Sequence, residues 1–499
     1  MRGSGILLPV SCLPSEYGIG SFSKEAYQFI DLLKKAGQMY WQILPMGPTG
    51  YGDSPYQSFS TFAGNPYYID LEQLIQKGWI NVEDCLKYDF GKSKNKVDYE
   101  KLYHSRYEVL YKAYYNSNVQ KDEEFIRFCN EEAWWLDDYS LYMVIKENHK
   151  GASWDVWEDE LKYRNPEKLK RYEEKYCDRI LFYKFMQFIF YQQWYELKKY
   201  AKDNGISIIG DIPIYVAFDS ADSWASPELF QFDSERNPVS VAGCPPDGFS
   251  RTGQLWGNPL YDWDYHRNTG YEWWLKRIGH CSKMYDIVRI DHFRGFDEYY
   301  AIPFGDKTAE FGHWEKGPGL DLFRTVNSKL NNIRIIAEDL GFLTDSVIEM
   351  VEKSGYPGMK VLEFAFDSRE PSNYLPHNYT KNSVVYTGTH DNETLLGWYR
   401  NLNSDDKKYL LQYLGIRSRN TKKILWNIIR LAQASVSDIC IIPMQDYLML
   451  GNEARINHPS TLGGNWQWRM ESMKIKNQLV DKIYEITKIY GRMEKEKEK

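Results

Sequence analysis

The chain has no two cysteines close enough to form a CxxC pair, and its cysteines are odd in number: Cys12, Cys85, Cys129, Cys177, Cys244, Cys281 and Cys440. That argues against a disulfide framework and fits reduced thiols in a cytosolic protein. Long hydrophobic runs are also missing. The richest apolar segment, "ILFYKFMQFIFYQQWYELKKY", is broken by Lys184, Gln187, Gln192 and Gln193, far short of the ~20 apolar residues of a membrane span. The first residues, "MRGSGILLPVSCLPSEYG", hold too short an apolar run for a signal-peptide core. No basic excess exists either. A net charge of −7 gives no footprint for nucleic acid. Neither GxGxxG nor GxxxxGK[ST] occurs, so nucleotide binding has no motif to rest on. No internal repeat and no low-complexity linker divides the chain. The expectation is a soluble, cytoplasmic protein without nucleic-acid or membrane partners.

Aromatic residues are abundant instead, with 17 Trp, 40 Tyr and 23 Phe. Most can be assigned to a Tyr-rich core. Others crowd Gly/Pro-rich stretches that read as loops, "GPTGYGDSPYQSFSTFAGNPYY" and "CPPDGFSRTGQLWGNPLYDW". Aromatic rings in loops suit the apolar faces of sugar rings.

Short apolar runs read as buried parallel strands: "YWQILP" (40–45), "ISIIGD" (206–211), "YDIVRID" (285–291), "IRIIAED" (333–339), "MKVLEFAF" (359–366), "SVVYTGTHD" (383–391) and "DICIIPMQD" (438–446). Helical patterns separate most of them, which indicates βα units. Asp211, Asp291, Glu338, Asp391 and Asp446 each stand where such a run ends. In a (β/α)8 barrel, functional groups converge at the C-terminal ends of the strands. An open doubly wound sheet also binds ligands there but needs no repeated carboxylates. The barrel is therefore the expected fold. Residues 1–499 read as one barrel domain, with mainly helical inserted material at about 70–200. Leu479, Ile483, Ile486 and Tyr490 recur at helical spacing and predict a C-terminal packing helix.

Three acids carry the chemistry: Asp291 in "RIDHFRGF", Glu338 in "IIAEDLGF" and Asp391 in "YTGTHDNET". Any one alone reads equally as a strand-end ion pair or a helix cap. Three at what read as successive strand ends suit glycosidic cleavage with retention, which needs a nucleophile and an acid/base about 5–5.5 Å apart. A third acid can hold ring hydroxyls. Their separation in the chain forbids a local pair but suits neighbouring barrel strands. Arg289 lies two residues before Asp291, on the same strand face. It explains why "DIVRIDHFRGF" ends a buried strand on charge: a guanidinium beside a carboxylate lowers its pKa and keeps it ionised. Asp211 is a further candidate substrate-binding group. A metal reading of the doublets Asp291-His292 and His390-Asp391 is set aside. Adjacent residues on a strand point to opposite faces, and no HExxH or Cys/His ligand spacing is present.

The chain resembles the 4-α-glucanotransferases of glycoside hydrolase family 77, called amylomaltase or disproportionating enzyme. The resemblance runs nearly end to end, through "RGSGILLP", "LPMGPTGYGDSPYQSFSTFAGNPYYIDL", "WLDDYSLYMVIK", "GDIPIYVAFDSADSW", "PPDGFSRTGQLWGNPLYDW", "VRIDHFRGF", "IIAEDLG", "TGTHDNET" and "NWQWR". It implies a TIM barrel with inserted subdomains and no separate C-terminal β domain. It implies Asp291 as nucleophile, Glu338 as general acid/base and Asp391 as transition-state stabiliser, with Arg289 and His390 in support. Tyr51, Ser54 and Tyr56 match positions lining the glucan groove. The resemblance implies a catalytic domain with two loops over the active site, one at about 243–262 that holds Gln254 and Trp256 and a second at about 451–469 that holds Asn465. Gly248 replaces a tyrosine common at that place in the family, leaving Phe249 as the expected loop contact. The resemblance implies α-1,4-glucan donors and acceptors in starch and glycogen metabolism, and neither cofactor nor metal. A retaining α-glucan hydrolase with the same acids is the alternative. A catalytically silent glycan-binding barrel would keep the aromatic loops without needing all three acids.

Overall fold

The computed structural model of the chain describes residues 2–50, 52–246, 250–341, 343–461 and 463–494. Twelve strands occur among these residues: β1 (Gly3–Leu7), β2 (Tyr40–Gln42), β3 (Ser207–Pro213), β4 (Ser240–Cys244), β5 (Gln254–Pro259), β6 (Ile287–Asp291), β7 (Glu298–Pro303), β8 (His313–Lys316), β9 (Ile335–Ala337), β10 (Gly358–Val361), β11 (Ser383–Tyr386) and β12 (Ile439–Pro443). Eight of them close a parallel barrel in the order β1-β12-β11-β10-β9-β6-β3-β2. This is the expected (β/α)8 barrel, and all seven apolar runs supply a strand to it.

The eighth strand, β1, did not stand out in the sequence because "GSGIL" lacks an apolar run. Its glycines answer to crowding. A Cβ added at Gly5 would sit 2.5 Å from the Tyr40 backbone oxygen, so β1 approaches β2 only without a side chain there.

Several strands stop earlier than the apolar runs suggest. β10 ends at Val361 and turns into a 3-10 helix over Leu362–Phe364. β12 ends at Pro443, and Met444–Tyr447 is helical. Asp446 therefore sits in a helical turn rather than at a strand end. It accepts hydrogen bonds from Thr387 Oγ1 at 2.6 Å and the Leu395 backbone N–H at 2.8 Å. Burial pushes its carboxyl up to about 6, against those two bonds. Its place is structural, at the start of helix Leu395–Asn401.

Helices fill most of the chain between β2 and β3, from Leu71–Gln76 to the long Cys177–Asp203. That last helix stops at a Schellman turn. The Ile206 N–H donates to Ala201 O, the Gly205 N–H to Lys202 O, and Gly205 takes φ +76°. No helix among the described residues is long and apolar enough to cross a membrane.

A four-stranded antiparallel sheet, β5-β4-β7-β8, stands beside the barrel. The sequence pattern predicts loop there, because "CPPDGFSRTGQLWGNPLYDW" is rich in glycine and proline. Residues Gln254 to Pro259 of that stretch are β5. Glycine and proline within short strands masked the alternation on which a strand assignment depends.

The barrel seam between β1 and β12 is clasped by the C-terminal segment. The helix Asn477–Ile489 leads to Arg492, which is fully buried. Its guanidinium donates to the carbonyls of Gln433, Gly3, Ser435 and Asp438. Removing it takes a donor from all four carbonyls and empties a buried site, although Arg2 still donates to Gln433 O and Ser435 O and the Gly3 N–H to Asp438 O. Arg492→Ala is expected to lose about 3 kcal/mol of stability, read as a lower urea midpoint with an unchanged slope. A midpoint equal to that of the parent protein would rule the clasp out as a stabilising feature.

Candidate active site

Alternation along β6 puts Arg289 and Asp291 on one side of the strand, facing into the barrel mouth. Register does the next step. Asp211 of β3 pairs with Arg289 of β6, bringing a second carboxylate alongside. Arg289 Nη1 donates to both oxygens of Asp211 at 2.8 and 2.6 Å, and Nη2 donates to Asp291 Oδ1 at 2.8 Å. The Tyr56 hydroxyl donates to Asp211 Oδ2 at 2.9 Å. Asp211 is completely buried and Arg289 nearly so, whereas the Asp291 side chain keeps 28% of its surface. Asp211, a candidate substrate-binding residue by sequence, thus spends its carboxylate on Arg289 and Tyr56. Arg289 is likewise buried behind Asp291.

Glu338 follows β9 directly. Its Oε2 accepts from the His292 N–H at 2.6 Å and its Oε1 from the Leu340 N–H at 2.9 Å, so two backbone donors fix the carboxyl. Burial and the nearby charge of Asp291 push its pKa up to about 8, against Arg289 and the two N–H bonds. Asp291 is also raised, by burial first, with Asp211 and Asp391 adding repulsion. The expectation that Arg289 depresses it is corrected here: the guanidinium pulls downward, but loss of water around the carboxylate outweighs it. Burial and the charge of Asp291, which raise Glu338 to about 8, favour its protonated form at neutral pH.

The strands of Glu338 and Asp391 are not adjacent, contrary to the sequence expectation. β10 stands between β9 and β11. It is followed by Glu363, which burial and then Asp446 hold well above the usual carboxylate range. His390 and Asp391 lie in the turn beyond β11, so the alternation argument against a metal does not apply to them. His390 Nε2 in fact approaches Asp391 Oδ1 at 3.4 Å. Nor does it apply to Asp291 and His292, since His292 leaves the strand at φ +53°. Among the described residues no group of three or more His, Cys, Asp or Glu is arranged to hold a metal ion.

A cleft of about 380 Å³ opens above these groups, lined by Ser54, Tyr56, Gln254, Trp256, Asp291, His390, Asp391 and Asn465, among others. The Tyr56 ring stacks on His390, with centroids 5.2 Å apart and planes 17° from parallel. Trp256 meets His292 edge-on at 4.8 Å, and its Nε1 donates to Gln254 Oε1. Burial holds His292 neutral, with its pKa down at about 3. Asn465 Oδ1 accepts from the His458 N–H and its Nδ2 donates to Thr461, shaping the turn between them. Tyr51, Gly248 and Phe249 lie outside the described residues.

Sequence reasoning missed Asn457, whose Nδ2 donates to Asp391 Oδ1 at 2.6 Å, and Arg455, which donates to the Asp391 carbonyl. It also missed Trp466, tilted against Tyr56 at 5.8 Å. Trp466 stood in the quoted "NWQWR". No local pattern ties Asn457 to an acid 66 residues away.

Comparison with known proteins gives the family. The glycoside hydrolase family 77 model, described as 4-alpha-glucanotransferase, matches residues 8–475. A 4-alpha-glucanotransferase of Clostridium butyricum is 48% identical over 487 residues, covering 97% of this chain and all of that one. One from Thermus thermophilus is 45% identical over 478 residues, 94% of this chain and 95% of its own. Among solved structures, the amylomaltase from Streptococcus agalactiae in complex with acarbose superposes with a TM-score of 0.95 at 42% identity, over 99% of this chain and 100% of that one. By family model, full-length identity and fold alike, the chain belongs to the 4-alpha-glucanotransferases of glycoside hydrolase family 77.

Proposed function

We propose that the chain transfers segments of α-1,4-glucans to the 4-hydroxyl of an acceptor glucan or glucose, by retaining double displacement through a glucosyl ester on Asp291. One observation carries this reading. Asp291 is held by Arg289 at the edge of an aromatic-walled cleft, and beside it Glu338, fixed by two backbone N–H groups, is pushed toward its protonated form by burial and the charge of Asp291. Glu338 protonates the leaving 4-oxygen as Asp291 attacks the anomeric carbon. Glu338, now a base, takes the proton of the acceptor 4-hydroxyl, and the second inversion restores the α linkage. Asp391, oriented by Asn457, holds ring hydroxyls of the distorted sugar. Tyr56, Trp256 and His390 supply the walls against which sugar rings pack. Residues 1–499 act as one catalytic unit, with the helical insertion at about 70–200 beside the barrel and the segments at about 243–262 and 451–469 contributing Gln254, Trp256 and Asn465 to the cleft lining.

Maltotriose separates transfer from hydrolysis. The expected products are glucose and longer malto-oligosaccharides, with little net gain in reducing ends. Reducing ends that rise in step with substrate loss would identify a hydrolase.

A pH profile tests the proton assignment. Glu338 must be protonated to act as the acid, and its pKa stands at about 8. Raising the pH through that value strips the proton, so kcat/KM should fall about tenfold per unit above it. The acid limb marks protonation of Asp291, above the usual aspartate range. A profile flat to pH 10 would contradict this assignment of the proton.

A further inference from the structure

The small sheet has two faces with different partners. Gln254 and Trp256 of β5 point toward the cleft. On the opposite face Val241, Tyr300, Ile302 and Ala309 form a buried apolar cluster separate from the main core. This second cluster is joined to the cleft wall by hydrogen bonds. The Tyr300 hydroxyl donates to Ala309 O at 3.0 Å, and the Ala309 N–H donates to Thr252 O at 3.0 Å.

Thr252 belongs to the turn Ser250–Gly253, which runs directly into Gln254 and Trp256. The turn is closed by the Gly253 N–H on Ser250 O and by the Ser250 hydroxyl on Gly253 O. Gly253 takes φ +69°, and a Cβ there would lie 2.8 Å from the Ala309 Cβ and 2.4 Å from Cys244 O. The turn is thus pressed onto Ala309 with no space to spare. From Trp256 the contacts continue to His292, whose N–H holds the Glu338 carboxyl.

We propose that Tyr300 is a positioning residue for the acceptor, acting through Ala309 and the Ser250–Gly253 turn to fix the Gln254–Trp256 wall of the cleft. The inference rests on the transferase reading above. Tyr300 itself touches no substrate; it is buried, and its ring faces the outer cluster. Its hydroxyl spends its proton on a carbonyl whose own peptide neighbour holds the turn. A wall fixed in this way offers an incoming glucan a ready surface and leaves less room for water. A loosened wall would still permit attack on the donor, because Asp291, Arg289 and Asp211 are anchored on barrel strands.

Tyr300→Phe removes the hydroxyl and keeps the ring, and Gly253→Ala forces a methyl onto Ala309. Both are compared with the parent enzyme on maltotriose, measuring chain-length redistribution against release of reducing ends. Donor cleavage is followed separately with α-glucosyl fluoride, and the thermal midpoint is recorded. The expected result for Tyr300→Phe is a transfer-to-hydrolysis ratio lowered about threefold to tenfold, the size of one neutral buried hydrogen bond. The acceptor KM should rise while donor cleavage changes less than about twofold. Gly253→Ala should shift the ratio in the same direction, and Ser250→Ala, which removes only the partly exposed hydroxyl that closes the turn on Gly253 O, gives the same test if Tyr300→Phe or Gly253→Ala fails to fold. Parent enzyme that transfers, with an unchanged ratio in the variants and only a lower midpoint, overturns the inference alone. Parent enzyme that only hydrolyses overturns the transferase reading, and this inference with it.

Discussion

Asp291→Ala and Glu338→Ala are each expected to lower maltotriose turnover by several powers of ten, but to part company on an activated donor. General acid/base help is typically worth about 100- to 10,000-fold, and loss of the nucleophile costs at least as much. An α-glucosyl fluoride carries a leaving group that needs little protonation. Glu338→Ala should therefore still form the Asp291 ester from it. That ester should accumulate, because no base remains to activate the acceptor. Asp291→Ala should form none. The geometry supports the division of labour. Asp291 presents the more open carboxylate and is tied to Arg289, whereas the Glu338 carboxyl is held by two backbone N–H groups and stays protonated to about 8. Intact-protein mass spectrometry reads the adduct directly. An ester on the Asp291→Ala protein, or one mapped by peptide to Glu338, would overturn the assignment.

Asp211→Ala should be the most damaging change outside those two acids. Arg289 is buried and gives both of its Nη1 bonds to Asp211. Taking that carboxylate away leaves a buried guanidinium with Asp291 as its remaining ion-pair partner. Breaking a buried pair from one side typically costs about 3–5 kcal/mol, so the urea midpoint should fall steeply. Turnover should fall too, since Arg289 and the Tyr56 hydroxyl both lose the group that orients them. The double variant Asp211→Ala/Arg289→Met distinguishes cost from benefit. With both charges gone the desolvation penalty disappears, and stability should recover by most of the loss. Activity should not recover, because Asp291 then lacks its cation. A single variant destabilised by less than about 1 kcal/mol would mean that water reaches Arg289 and the ion pair is not sealed.

What the amino-acid order alone determined is local. Apolar runs, five of them ending on acids, marked seven of the eight barrel strands, because the burial of a strand is a property of a few consecutive residues. The long motifs around Asp291, Glu338 and Asp391 were sufficient for the family resemblance. Alternation along one strand paired Arg289 with Asp291. What lay beyond a single run was decided by the tertiary structure. Barrel closure recruited "GSGIL" as a strand, which only the crowding against Tyr40 explains. Register between β3 and β6 gave Arg289 its second carboxylate, Asp211, 78 residues away in sequence. Strand order put β10 between Glu338 and Asp391, and a distant loop brought Asn457 to Asp391. The proton balance of the pair likewise follows from burial: Arg289 was legible beside Asp291, but the water excluded around both carboxyls was not. Periodicity is written residue by residue. Desolvation and register depend on which distant segments close over one another, and those contacts exist only once the chain is folded.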